Sequence, residues 1–326
     1  MNRHDDFRPT AGRENLRLRA GLLRRTREFF DRHGFLEVET PILSADTVVD
    51  RHLDPFQLEV SDPSGGLQRP RWLQTSPEFA MKRLLAAGFE AIYQITRVFR
   101  QGEQGPLHNP EFTMVEWYRA HDGLDEGMQL TGDLCDALLQ RGQAERLTYA
   151  EAFRQYVGLD PHTAETGELL SAVHGHGIVA PESLSPEDRD GWLDLLLVER
   201  VQPNLGRTRP VILYDYPASQ AALARIRPDD PPVAERFELY VSGVELANGF
   251  HELLDPEELL QRNAAANARR RADGKPPLPE QSRLIAAMRS GLPAAVGVAL
   301  GFDRLVMLSA GAKSLAEVMA FPFDRA

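Results

Sequence analysis

A chain of 326 residues, 42% hydrophobic and 26% charged, is long enough to bury a full core. Its formal charge of −11 works against non-specific contact with nucleic acid, so a tRNA ligand is not expected, and the lone cysteine, Cys135, excludes an internal disulfide or a multi-cysteine metal site. No apolar run is long enough to span a bilayer, and the N-terminal MNRHDDFRPT lacks the apolar stretch of a signal peptide; no membrane partner and a reducing cytoplasm are expected.

In chain order, residues 14–33 carry Leu16, Leu23 and Phe30, and Leu22 and Phe29, at heptad spacing with Arg17, Arg24, Arg25 and Arg27 between. That pattern predicts an amphipathic helix closed by Gly34. Residues 73–75 read as a short strand leading to Ser76-Pro77-Glu78, where Ser76 suits an N-cap and Pro77 a first helical position. Glu78 then falls in the first turn, beside free backbone N–H groups, where a carboxylate complements the helix dipole.

Residues 91–118 predict a β-hairpin: AIYQITRVFR enters, QGEQGPLHNP turns, and FTMVEWYRA leaves. Alternation puts Phe112, Met114, Glu116 and Tyr118 on one face and Thr113, Val115, Trp117 and Arg119 on the other. A carboxylate and a phenol beside apolar groups suit a pocket for an ammonium and a flat ring. Arg100, at the end of the incoming strand, can lean over that face.

A Leu-rich helix follows over 123–142, with Cys135 as a buried small residue. Helical patterns alternate with loops over 149–204 and carry no legible chemistry. Strands are predicted at 211–217 and 237–241, with a loop at 229–232. Glu245 and Glu252 stand seven residues apart with Asn248-Gly249 between them. An Asn-Gly turn folding the segment back would bring both carboxylates to one centre of hard oxygen ligands, as Mg²⁺ prefers. Arg269, Arg270 and Arg271 read as a solvated helix face. Residues 296–300 form a predicted buried strand, and Gly301 opens a helix whose first turn holds Arg304, where guanidinium and helix terminus can meet phosphate together.

The stretches Gly34 to Leu43, Phe99 to Tyr118 (with His108-Asn109-Pro110-Glu111-Phe112-Thr113 at its centre) and Gly297 to Leu305 resemble, in order, motifs 1, 2 and 3 of the class II aminoacyl-tRNA synthetases, in the lysine-specific branch. The resemblance implies an α+β fold, an antiparallel β-sheet flanked by helices, as one catalytic domain over residues 1–326. It also implies ATP and Mg²⁺ as cofactors and a homodimer built on motif 1. As catalytic residues it implies Arg100, Arg304, Glu245 and Glu252, the last two also holding metal. Substrate would meet Ser76, Pro77, Glu78, Glu116, Tyr118, Asn248, Glu252 and Ala299. The nucleotide would meet Arg100, Gln101, Gly102, Glu103, His108, Phe112, Glu245, Leu246, Gly301 and Arg304.

Motif 1 begins too early for a preceding anticodon-binding barrel. The wording of HNPEFTMVEWYRAH, GVELANGFHELLDP, GVALGFDRLVML and LAEVMAFPFDRA resembles that of the synthetase-like ligases that place (R)-β-lysine on a lysine of elongation factor P. This implies β-lysine or lysine as substrate and that factor as protein acceptor; a non-catalytic paralogue, or a ligase with another acceptor, are the alternatives. There are departures. Gly102 stands where motif 2 usually has a glutamate, with Glu103 one residue on; Leu107 stands where an arginine is usual; and Ala299 replaces the middle glycine of GxGxG.

Overall fold

The computed structural model describes residues 7–61 and 69–326, so part of the N-terminal stretch read above lies outside them. In chain order the elements are α1 (Arg13–Arg32), β1 (Leu36–Glu37), β2 (Leu43–Ser44), β3 (Gln57–Val60), β4 (Arg69–Leu73), α2 (Glu78–Ala86), β5 (Ala91–Phe99), β6 (Glu111–Ala120), α3 (Leu124–Leu139), β7 (Glu145–Thr148) and α4 (Tyr149–Tyr156). There follow α5 (Thr166–Gly175), α6 (Arg189–Leu196), β8 (Val211–Pro217), β9 (Ile226–Arg227), β10 (Val233–Val241), β11 (Val244–His251), α7 (Pro256–Ala272), α8 (Arg283–Gly291), β12 (Ala295–Gly301) and α9 (Phe302–Ser309). Contacts divide them into two compact units, Met1–His121 with Leu254–Ala326, and Asp122–Leu253.

In the first unit the main strands run in the order β1-β5-β6-β12, antiparallel but for β1 beside β5, and β2-β4-β3 form a small antiparallel sheet. The expected hairpin is present as β5 and β6. One face of the main sheet is closed by α1: Phe30 stacks on Tyr93 at 4.5 Å between centroids and meets Trp117 at 5.3 Å. The helix buries Leu22, Thr26, Phe29 and Phe30, while Leu16 and Leu23 lie at its half-buried margin. Gly34 follows with φ +77°, a left-handed position that glycine takes without strain.

The same face carries a polar latch. Arg19 of α1 donates to Asp303 Oδ1 at 2.5 Å and to Thr113 Oγ1 at 2.7 Å, and Asp303 Oδ2 accepts from the Thr113 backbone N–H at 2.6 Å. All three groups satisfy one another in a buried place, so α1, β6 and the start of α9 are tied at one point.

On α7, Arg270 corrects the sequence reading. Arg269 and Arg271 are exposed, but Arg270 is 1% exposed. It pairs with Asp54 at 3.0 Å and donates to the carbonyls of Asp50, Leu53 and Pro276. The reason is helical phase: Asn263, Asn267 and Arg270 share an inner stripe at i, i+4 and i+7, and their polar ends hold neighbouring loop backbone.

In the second unit the strands run β11-β10-β8-β7, with β9 beside β10. Helix α3 covers one face, where its buried Gly132 admits Ile212, and Cys135 is buried as expected. Helices α4 and α6 cover the other with a cluster that includes Tyr149, Phe153, Trp192, Leu213 and Tyr216.

Candidate active site

Ladder register puts the first unit's site residues in rows. Gln94, Glu116 and Ala299 are directly paired across β5, β6 and β12, as are Ile92, Tyr118 and Gly297, and Thr96, Met114 and Gly301. These rows lie on the face opposite α1, because alternation sends Tyr93, Trp117 and Val298 the other way. Gly297, Ala299 and Gly301 therefore present small groups toward the same side as Glu116 and Tyr118.

Glu116 is the centre of this face. It is 1% exposed; Oε1 accepts from Tyr118 Oη at 2.6 Å and Oε2 from Ser76 Oγ at 2.7 Å. Burial, and next the charge of Glu78, push its carboxyl up to about 7, against the pull of the two hydroxyls and Lys82. Ser76 also accepts from the Glu78 backbone N–H at 3.0 Å, and so does capping work although Pro77 directly precedes the helix. One hydroxyl thus joins the start of α2 to Glu116. Glu78 is buried and takes a hydrogen bond from Lys82 Nζ at 2.5 Å. The sequence reading passed over Lys82, although its i+4 spacing from Glu78 was a signal.

At the tip of the hairpin Arg100 leans over Phe112, Cζ lying 5.1 Å from the ring centroid. Its guanidinium reaches Glu103 at 3.7 Å. Gly102 has φ +84°, where a glutamate would be strained, and the loop's carboxylate comes from the next residue. Arg304 donates to the Leu107 carbonyl at 3.2 Å and meets His108 Nε2 at 2.7 Å. Burial and the charge of Arg304 lower the His108 pKa, which favours the neutral ring that can accept that bond. Arg304 stands in the first turn of α9, as expected, with Gly301 as the residue before the helix. Gln101 is tied by its backbone N–H to the Asp54 carbonyl at 2.7 Å.

In the second unit the Asn248-Gly249 turn is not formed. Both residues lie within β11, paired with Glu238 and Phe237 of β10. Gly249 answers a different need: a Cβ there would sit 2.3 Å from Phe237 Cζ, so the glycine admits the ring. With no turn, Glu245 and Glu252 stand seven positions apart along a strand that carries one register shift, and the fold-back that would have brought them together is absent.

Glu245 has another carboxylate for a neighbour. It faces Tyr240 across the ladder, a register shift at Leu239/Tyr240 resets the alternation, and Glu238 stands two residues from Tyr240 on the same face. Glu238 is buried and accepts from Tyr216 Oη at 2.6 Å, from Arg236 at 2.5 Å and from Tyr240. Opposite it, Asn248 Oδ1 is buried without a hydrogen-bond partner. Leu246 and Glu252 are buried, and Glu252 extends the strand by a bridge to Ala224. The i+2 spacing of Glu238 and Tyr240 was visible in the sequence, but only the register shows that they face Asn248 and Glu245.

A family profile for class II tRNA synthetases (D, K and N) matches residues 1–325. The chain belongs to the class II tRNA synthetase family. Within this family it is 50% identical over 98% of both chains to the elongation factor P (R)-β-lysine ligase of Vibrio vulnificus strain YJ016. It is 49% identical over 99% of both chains to the ligase of that name from Vibrio cholerae, and 44% identical over the full length of both to that from Haemophilus influenzae strain PittGG. A class II synthetase chain so similar to ligases along its whole length is an enzyme of the ligase class, and its architecture is α+β.

Proposed function

We propose that this ligase activates (R)-β-lysine, and lysine less well, as the aminoacyl-adenylate at the expense of ATP, and transfers it to the ε-amino group of a lysine on elongation factor P. The observation that carries the reading is the buried Ser76-Glu116-Tyr118 group with Ala299 directly opposite Glu116, a floor suited to an ammonium at the end of an apolar stem. Burying an ammonium costs several kcal/mol without an acidic partner. The whole-length likeness to enzymes named as elongation factor P (R)-β-lysine ligases supports the acceptor.

Joining a carboxylate to the α-phosphate brings two anions together, so charge has to be neutralised and the reactants held in line. Arg100 is assigned to both anions by bidentate hydrogen bonds, Phe112 to one face of adenine, and Arg304 with His108 to the phosphate tail. Gln101, Gly102 and Glu103 edge the nucleotide, with Leu246 and Gly301 against it. Glu78 is assigned to the amine nearer the carboxylate; Glu116, Tyr118 and Glu252 to the far one; Asn248 to the carboxylate; and Ser76 and Pro77 to the shape of the pocket.

Magnesium fits the second unit. Among the described residues no group of three or more His, Cys, Asp or Glu is arranged to hold a metal. Mg²⁺ asks for no such cage, since one or two carboxylates with water and phosphate oxygens suffice. Glu245 with Glu238 would hold it, the unpartnered Asn248 Oδ1 being a further hard oxygen on that face. When bound, it would draw negative charge off the phosphates. The exposed apolar groups Leu36, Ile42 and Leu43 of the motif 1 region support a homodimer through that segment, checked by light scattering.

The test of the activity is direct. The enzyme is given ATP, Mg²⁺ and β-lysine or lysine, elongation factor P and bulk tRNA are offered in turn, and the products are weighed. A mass gain on elongation factor P is expected; a gain on tRNA alone would overturn the reading.

A further inference from the structure

One charged group in the Glu116 pocket has no part in the chemistry above. Lys82 lies one helical turn beyond Glu78 on α2 and is 2% exposed, with its Nζ 2.5 Å from Glu78 Oε1. An ammonium taken this far out of water needs a carboxylate beside it, and Glu78 is that carboxylate. Glu78 is in turn linked through Ser76 to Glu116: the hydroxyl accepts from the Glu78 N–H and donates to Glu116 Oε2.

We infer that Lys82 is a positioning residue of the amine pocket: its buried ammonium holds one oxygen of Glu78 and fixes its rotamer, so that Glu78 offers its other oxygen to the substrate's amine. The inference rests on the proposed role of Glu78 as an amine ligand. Its physical basis is the crowding of two carboxylates in a dry place. Glu116 already feels the charge of Glu78, which raises its pKa, while Lys82 works in the opposite direction. Without the ammonium, Glu78 would lose the group that holds its Oε1 and would be left a buried carboxylate facing another carboxylate. A Glu78 side chain released from that anchor no longer presents a fixed oxygen to the substrate's ammonium. Lys82 therefore acts on substrate through Glu78 and needs no contact of its own.

The test is a double-mutant cycle read by ATP–pyrophosphate exchange, with the KM of the amino acid and that of ATP measured separately for wild type, Lys82→Met, Glu78→Gln and the double variant. Lys82→Met is expected to raise the amino-acid KM tenfold or more and leave the ATP KM within twofold. In the Glu78→Gln background the same change is expected to add less than twofold, because the group it acts through is already gone. Lys82→Arg, which keeps the charge, is expected to recover most of the loss. Equal effects of Lys82→Met in both backgrounds, or equal rises in both KM values, would show a merely structural lysine and overturn the inference. Lys82→Gln, which still donates to Glu78, replaces Lys82→Met in the cycle if the latter does not fold. A wild-type enzyme without amino-acid-dependent exchange would overturn the proposed function instead.

Discussion

Replacing Glu116 with glutamine tests the electrostatics of the pocket without asking anything of catalysis. In the folded chain the carboxyl is pushed from its ordinary 4.5 up to about 7. The native state therefore binds the proton more tightly than the unfolded chain does. Glu116 contributes its full stability below pH 4.5, and that contribution is lost as pH rises through 7. The difference corresponds to about 3 kcal/mol, with roughly half of that expected once the site relaxes. Glu116→Gln removes the titration. The Ser76 and Tyr118 hydroxyls can each turn to donate or accept, so the amide adds only a pH-independent cost. Urea unfolding of both proteins at pH 5 and pH 8.5 should show wild type losing on the order of 1.5–3 kcal/mol more than the variant across that interval. Titrating groups that do not interact with Glu116 are common to both and cancel. Parallel losses would refute the reasoning, since Glu116 would then ionise as an ordinary solvated carboxylate.

Gly249→Ala should destabilise the chain by about 1–3 kcal/mol in thermal or urea unfolding, because its methyl would meet the Phe237 ring at 2.3 Å; Phe237→Leu should relieve part of that loss in the double variant. Arg270→Ala should cost about 3–5 kcal/mol, because three loop carbonyls lose their donor while Asp54 keeps only Lys275, whereas Arg269→Ala on the exposed side should change stability by no more than about 0.5 kcal/mol. Ala299→Gly removes the methyl directly opposite Glu116 and should shift pyrophosphate exchange away from the β-amine isomer toward lysine; an unchanged preference would count against a role of that methyl in selection. Arg100→Ala should abolish adenylate formation with the melting temperature nearly preserved, since among the described residues its side chain meets only a ring face, Glu103 at 3.7 Å and, by a long 3.4 Å hydrogen bond, the Thr75 carbonyl.

The sequence was most legible where one side-chain period decided the outcome. The heptad spacing of Leu22 and Phe29 gave α1, and strict alternation gave both faces of β6 because nothing interrupts that strand from Glu111 to Ala120. Arg270 was hidden by its neighbours: three consecutive arginines look solvated by composition, and only the phase shared with Asn263 and Asn267 marks the middle one as internal. Lys82 was hidden in another way. A lysine on a short helix is ordinarily solvated, and its burial follows from the packing of α2 rather than from local pattern.

The Asn248-Gly249 pair shows why local chemistry can point the wrong way. Asn-Gly is a strong hairpin signal because both residues tolerate positive φ, but glycine has a second use, the absence of a side chain. In β11 it is the second use that decides, since the room Gly249 leaves is filled by the ring of Phe237 on the paired strand. Periodicity along a single strand cannot distinguish the two uses; they differ in what lies across the ladder. The consequence runs into the chemistry. A turn would have joined Glu245 to Glu252, whereas a continuous, bulged strand sets Glu245 near Glu238 across the ladder and Glu252 seven positions further along. The two carboxylates are then separable by experiment: replacing Glu238 should weaken the magnesium dependence of pyrophosphate exchange, while replacing Glu252 should raise the KM of the amino acid at unchanged magnesium dependence. If both variants altered the magnesium requirement alike, the division drawn from the register of β10 and β11 would be wrong.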